Sequence, residues 1–393
     1  MGTSMGDSIT LRDLEHDPDP ILARLRDHEP VAWVPSMEMW LVTRWDDVAF
    51  VDAHPELFSA ATEPSLLARA LGTNMLTLDP PEHTRLRDAM LPPFQPGGRS
   101  GTFVREELVG YADRLLDAID VTAGGAVELM ATYAQPLAAG SLAIVLGLDE
   151  YGAERMWSWC EGLVTDIANF ENDPALAEVG AAAKADLGDA IAVRLAQLTD
   201  EDRSAIGAFV RAGASPDEVV NNVRLMISGG INEPRDGIGL VIAVLLTRPE
   251  LRSRVDAEPA AMRRLVEEVF RVHSPVGTIT RQATRDVELA GVTIRAGDLV
   301  SGVLRSANLD ERHWTEPTEI DLDRREGTHA AFALGAHRCL GEWFGRQQVR
   351  IGVERVLARW PDLRLDPAHH RGGGVELHGF EFRGPRALHL QVG

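Results

Sequence analysis

One cysteine and its setting constrain this chain more than anything else in it: Phe332-Ala-Leu-Gly-Ala-His-Arg-Cys339-Leu-Gly341. The 393 residues include only two cysteines, so Cys339 belongs neither to a disulfide framework nor to a four-thiolate metal site. Its loop of small residues runs straight into a helical pattern over 342–360. A thiol at a helix N-terminus is predicted to ionise readily, because free N–H groups and the helix dipole favour the thiolate. A solitary thiolate suits a metal that takes one strong protein ligand, and haem iron is such a metal. Gly335 would let the backbone turn beneath the sulfur, and Gly341 would let the helix start approach a flat macrocycle. Phe332 and Leu340 would keep water off the ligand.

Phe332-x-x-Gly-x-His-x-Cys-x-Gly341 resembles the signature of the cytochrome P450 superfamily, and further motifs follow in that family's order. Glu268-Val-Phe-Arg271 resembles its Glu-x-x-Arg helix, and Pro317-Thr-Glu-Ile-Asp-Leu-Asp-Arg324 resembles the segment that supplies a third partner. His83-Thr-Arg-Leu-Arg87, after Asp79-Pro-Pro-Glu, is similar to the helix that reaches the haem propionates. Trp40-Leu-Val-Thr-Arg-Trp-Asp-Asp-Val48 is similar to the first sheet and the helix after it. Alone, an acid and an arginine three residues apart mean little, since a solvated pair contributes almost nothing. The ordered set covers most of the chain.

The resemblance implies a mainly α fold: one large helical domain over 1–393 with small β-sheets. Haem b would lie between a long central helix and the helix after Cys339. Cys339 would ligate the iron, with Phe332 and Gly341 completing its loop. His83, Arg87, Arg281 and His337 match propionate-binding positions, and bidentate pairing with a carboxylate favours arginine over lysine there. Glu268, Arg271 and Arg324 would form a charge network pinning the segment that leads to Cys339. By the same resemblance, the substrate pocket would draw on Ile231, Val276, Gly277, Ile279 and Phe380, all small or apolar. No basic anchor for a substrate carboxylate is evident, although Arg235 stands nearby.

The long helix departs from the family pattern. Ser215-Pro-Asp-Glu218 is a capping box with proline at the first helical position, so a helix begins there. Its apolar pattern continues to about Thr247, roughly 30 residues or ~45 Å. Where the family usually shows Gly-x-(Asp or Glu)-Thr, this chain reads Gly229-Gly230-Ile231-Asn232-Glu233-Pro234. Asn232 holds the place of the acid and Glu233 that of the alcohol, the pair that in typical members delivers protons as the O–O bond breaks. Ser228 lies about 140° around the helix from Glu233 and is a poor substitute. Pro234 lacks an N–H and crowds the Gly230 carbonyl, so a kink and a polar notch are expected there. Glu233 shares a face with Met226, Gly229, Gly230, Gly237 and Leu240. Desolvation on that face would raise its pKa and poise it as a general acid–base, with Asn232, Gly229 and Gly230 beside it. The competing reading is a salt bridge to a basic side chain.

The rest of the chain reads as helices with two small sheet regions. Val31-Ala-Trp-Val34 and Met39-Trp-Leu-Val42, split by Pro35-Ser36, predict a hairpin. Helical patterns dominate from Arg99 to His273. Strands are expected from Arg281 onward at Val287-Glu-Leu, Gly291-Val-Thr-Ile294 and Leu299-Val300, and 372–385 reads as a loop and terminal hairpin. Cys160 reads as a small buried apolar residue.

The formal net charge of −21 argues against nucleic acid, whose phosphates would be repelled. An acidic redox partner would need a local basic patch, for which Arg338, Arg346 and Arg350 are candidates, with a solvated helix face as the alternative. No apolar run of 18 or more residues exists and the N-terminus is polar, so no membrane anchor or signal peptide is expected, and Met1-Gly2 lacks the Ser or Thr at position 6 that myristoylation needs. Two cysteines and no targeting segment point to the cytoplasm.

The expected activity is insertion of one oxygen atom from O2 into a small hydrophobic substrate. Electrons would come from NAD(P)H through a soluble ferredoxin and its reductase. A peroxide-using peroxygenase or an oxidative-coupling enzyme of natural-product metabolism is the alternative supported by Asn232-Glu233-Pro234. A non-catalytic haem sensor is the remaining one.

Overall fold

Two helices set the frame. Pro216–Thr247 runs for 32 residues from a capping box in which Ser215 and Glu218 satisfy each other's backbone N–H groups. Glu342–Arg359 follows the cysteine loop and packs against the long helix, as do Gln135–Leu146, Gly152–Ile167 and Ala261–His273. The computed structural model describes residues 4–121 and 125–392.

Glycine makes the close crossing possible. A Cβ at Gly237 would lie 2.8 Å from the side chains of both Phe270 and Val349, a distance that real side chains do not tolerate. Pro234 does not divide the long helix, which continues through it. Contacts on either side of Pro234 hold the axis: Leu142 against Gly230, Phe270 and Val349 against Gly237. Packing thus outweighs the local helix-breaking tendency.

Five strands form the larger sheet in the order Val31–Val34, Met39–Val42, Leu299–Val303, Thr278–Ala283 and Phe58–Ser59. The expected hairpin pairs Val31 with Val42 and Val34 with Met39. Met39–Val42 then runs parallel to Leu299–Val303. Val287–Leu289 and Val292–Ile294 pair as a separate two-stranded ribbon. The strand region opens at Thr278, three residues before the expected Arg281. The terminal hairpin is reduced to isolated bridges, His378 with Gly384 and Val276 with Phe382.

The main core lies among the helices, a second cluster under the large sheet, and a third joins the N-terminal helices to Phe380. Cys160 is fully buried as expected, its sulfur 3.5 Å from the Ser228 carbonyl. Among the described residues no helix is long and apolar enough to cross a membrane.

Candidate active site

The cysteine loop is held by hydrogen bonds from both ends. Cys339 N–H donates to the Phe332 carbonyl at 2.8 Å, and Arg338 N–H to that of Gly335 at 3.0 Å. Asp52, at the end of the helix Trp45–Ala53, accepts from the Leu334 and Gly335 N–H groups at 2.7 Å each. Its carbonyl would sit 2.0 Å from a Cβ on Gly335, so only glycine fits. The Phe332 ring is covered by the Arg346 guanidinium, 4.2 Å from its centroid, and meets Phe270 edge-on.

Cys339 is surrounded by protein, yet its side chain presents accessible surface. That surface therefore faces a space inside the fold. The expectation of a readily ionised thiol is corrected here. Burial pushes the thiol up to about 11, and the charges of Glu233 and Glu342 act the same way, against a hydrogen bond from Gly341 N–H. Desolvation outweighs the helix terminus, and a metal would be needed to hold the thiolate.

Beside this space four cationic or imidazole groups converge. The rings of His83 and His337 lie 4.1 Å apart, both residues are buried, and none of their four ring nitrogens has a partner. Burial, then Arg281, His83 and Arg87, bring His337 down to about 2; burial and then Arg87 lower His83. Arg281 donates to Asp52 at 2.9 Å, while Arg87 makes no ion pair among the described residues. Orphaned buried nitrogens beside uncompensated positive charge fit an anionic group such as a pair of carboxylates. With the inward-facing sulfur, the residues present fit haem.

Glu268, Arg271 and Arg324 come together. Glu268 accepts from Arg271 Nε at 2.8 Å and Nη2 at 2.9 Å, and from Arg324 Nε at 3.0 Å. Arg271 also donates to the carbonyls of Asn308, Pro317 and Glu319. Asn308 in turn accepts from Ala330 N–H at 2.7 Å, two residues before Phe332. The network therefore reaches the cysteine loop through Asn308, a residue that gave no sequence signal.

The long helix faces the same internal space. Gly229 is exposed although it lies mid-helix, and the atom nearest its missing Cβ is Glu233 Oε2, at 3.8 Å. Glu233 Oε2 is buried without a hydrogen-bond partner, and no ion pair forms on Glu233 among the described residues. Burial raises its carboxyl well above the ordinary value, with Asp236 and Glu381 adding to the effect. The charge of Glu233 is felt at Cys339 as well. Asn232 is buried with its Nδ2 unpartnered, and Ser228 is occupied by the Leu225 carbonyl.

Several expected positions are corrected. Gly230 faces Leu142, whose Cδ2 would lie 2.9 Å from a Cβ there, because the helix turns that position toward Gln135–Leu146. Ile231 is fully buried in the main core, and Phe380 packs in the N-terminal cluster with Ile9 and Leu14. Val276 and Ile279 remain half-buried, and Gly277 packs against the Phe380 carbonyl. Arg235 is committed to Asp236, to the Arg386 carbonyl at 3.1 Å and to the Trp157 ring. Arg338, Arg346 and Arg350 are each paired with carboxylates, chiefly Glu342, Glu267 and Glu354, so they do not form an uncompensated basic patch.

The sequence reading missed Asp52 and Glu381. Asp52 meets its partners across some 280 residues, a separation at which local patterns say nothing. Glu381, between Phe380 and Phe382, carried only the weak signal of an acid amid aromatics.

Comparison with known proteins agrees with this geometry. The family described as Cytochrome P450 matches residues 211–367. The mycinamicin IV hydroxylase/epoxidase of Micromonospora griseorubida is 31% identical, over 87% of this chain and 87% of its own. The cytochrome P450 monooxygenase PikC of Streptomyces venezuelae is 30% identical, over 90% of this chain and 86% of its own. Among solved structures, CalO2 superposes with a TM-score of 0.86 at 27% identity, covering 100% of this chain and 99% of that one. Ligand-free cytochrome P450 TbtJ1 gives 0.83 at 28%, covering 95% and 96%.

Proposed function

Since this chain belongs to the cytochrome P450 family, whose cofactor is haem and whose members here are oxygen-incorporating oxidoreductases, we propose that it inserts one oxygen atom into a small, largely apolar substrate and that Glu233 moves the protons. Hydroxylation and O-dealkylation are the reactions that fit this assignment. The expectation of a non-catalytic haem sensor is set aside by the family's activity.

Haem ligated by a thiolate supplies, when bound, the activation of dioxygen or peroxide. The protein's part is binding, orientation and proton handling. Cys339 would hold the iron, with Gly341 N–H donating to the sulfur. His83, His337, Arg87 and Arg281 would take the propionates, whose charge answers Arg87 and the unpartnered ring nitrogens of His83 and His337. The network of Glu268, Arg271 and Arg324 would keep the cysteine loop in place. Gly229, lacking a side chain, leaves room beside Glu233.

One observation carries the proton role: Glu233 Oε2 is buried, unpartnered and close enough to Cys339 for its charge to act there. A carboxyl whose pKa burial raises can take up a proton at Oε2 and release it again, which is what a general acid–base requires. Asn232, with its buried Nδ2, would orient a water or the substrate. In the haem-loaded protein Glu233→Gln is expected to lower turnover by about 10²-fold or more. Unchanged peroxide-driven turnover would refute the assignment.

The presence of a carboxylate where the family usually has an alcohol also favours use of hydrogen peroxide, as in a peroxygenase or an oxidative-coupling enzyme. We propose a soluble ferredoxin and its reductase, fed by NAD(P)H, as the electron source for the O2 reaction. Turnover that requires the reductase supports the monooxygenase; equal turnover with peroxide alone supports the peroxygenase.

A further inference from the structure

The segment 380–385 lies along the long helix. A Cβ on Gly384 would touch Asp236 at 2.3 Å, and one on Gly239 would touch Pro385 at 2.8 Å. This alignment sets Glu381 near Glu233, and the two carboxylates interact electrostatically. Glu381 is enclosed by protein but keeps accessible surface, as Cys339 does. Thr278 donates its hydroxyl to Oε2 of Glu381, which leaves Oε1 with no protein partner. Glu233 Oε2 is buried and unpartnered among the described residues.

No cation offsets these groups. Among the described residues neither Glu233 nor Glu381 is in an ion pair, and the further charge acting on Glu381 is another carboxylate, Glu15. The nearby arginines are committed elsewhere: Arg235 to Asp236, Arg305 to Asp19, and Arg383 to the Gly379 carbonyl. Desolvated carboxylates without a counter-ion are costly, and such groups are retained where a ligand supplies the missing charge.

We propose that Glu381, supported by Thr278 and with Glu233 beside it, anchors a cationic nitrogen on an otherwise apolar substrate. This rests on the reading of the space above Cys339 as the substrate site. The anchor would set which end of the substrate points away from the cysteine, and so which carbon is presented for oxidation.

The test uses the ferric, haem-loaded protein and two shape-matched probes: an arylalkyl trimethylammonium ion and its neutral tert-butyl isostere. The ammonium ion has no lone pair with which to ligate iron and no proton to lose. Binding is measured calorimetrically. The cation is expected to bind about tenfold or more tightly than the isostere. Glu381→Gln should remove most of that preference while leaving the isostere's affinity and the haem spectrum unchanged.

The cation's affinity should also rise with pH through about 7, where burial places the Glu381 carboxyl. The groups facing it are Thr278 on its strand, Glu15 on the N-terminal helix and Glu233 on the long helix. Equal binding of the two probes, binding of neither, or a preference that survives Glu381→Gln would overturn the proposal. A protein that retains no haem would overturn instead the reading on which the proposal rests.

Discussion

The two sides of the space around Cys339 treat charge in opposite ways. On the cysteine side the carboxylates have partners: Glu267 with Arg346, Glu342 with Arg338 and Arg346, Asp52 with Arg281, Glu268 with two arginines. Burial would raise Glu267, yet hydrogen bonds from His329 and Arg346 outweigh it and bring the carboxyl down to about 2. Across the space, neither Glu233 nor Glu381 is in an ion pair among the described residues, and burial raises both. Paired charges with saturated hydrogen bonds hold a loop in one geometry. Unpaired ones stay available for protons or ligands. The contrast separates a scaffold from a working surface.

The sharpest way to break the comparison is at the sulfur. Cys339→Ser removes the thiolate, and the protein is expected to lose haem-thiolate absorbance in its reduced carbonyl complex together with all oxygen insertion. Next comes the paired side. Glu268→Ala leaves Arg271 buried without a counter-ion and should cost about 3–5 kcal/mol in urea unfolding, with loss of haem on purification.

On the unpaired side the sign reverses. The folded protein holds the Glu381 carboxyl at about 7, against an ordinary value of 4.5. Its contribution to stability is therefore full below about 4.5 and is lost as pH rises through about 7. Glu381→Gln should then stabilise the protein by up to roughly 3 kcal/mol above pH ~7 and scarcely at all below pH ~4.5. Melting temperatures across that range decide it, and a destabilised variant would place Glu381 among the paired, structural groups. The smallest effect is expected at Arg350→Ala. Its pair with Glu354 is partly exposed, so unfolding should change by no more than about 0.5 kcal/mol.

Local grammar was legible where the chain decides matters within a few residues. Ser215 and Glu218 announced the long helix, and the hairpin at Val31–Val34 and Met39–Val42 followed from alternation and Pro35-Ser36. Gly335 reads as a turn beneath the sulfur, and the structure adds a reason the sequence could not show, the Asp52 carbonyl pressed against it. Pro234 was a local signal for a kink, and the helix continues through it. Gly230 and Ile231 show the complementary limit. They neighbour Gly229 and Glu233 in sequence, but a helix turns ~100° per residue, so Ile231 goes into the core and Gly230 turns toward Leu142. Phe380 likewise is expected in the pocket by resemblance to the family, whereas in the fold it is buried with Ile9 and Leu14.

By itself, then, the sequence determined the kind of chemistry: a lone cysteine before a helix, the charged motifs in order, and a carboxylate at Glu233 in the long helix. Those features are covalently local, and their meaning survives without coordinates. The tertiary structure alone decided which charges find partners. Asp52 reaches Leu334 and Arg281, Arg235 is consumed by Asp236, and Glu381 comes within electrostatic reach of Glu233, neither of them in an ion pair among the described residues. Pairing depends on distances between segments far apart in the chain, and burial sets how much each unpaired charge costs.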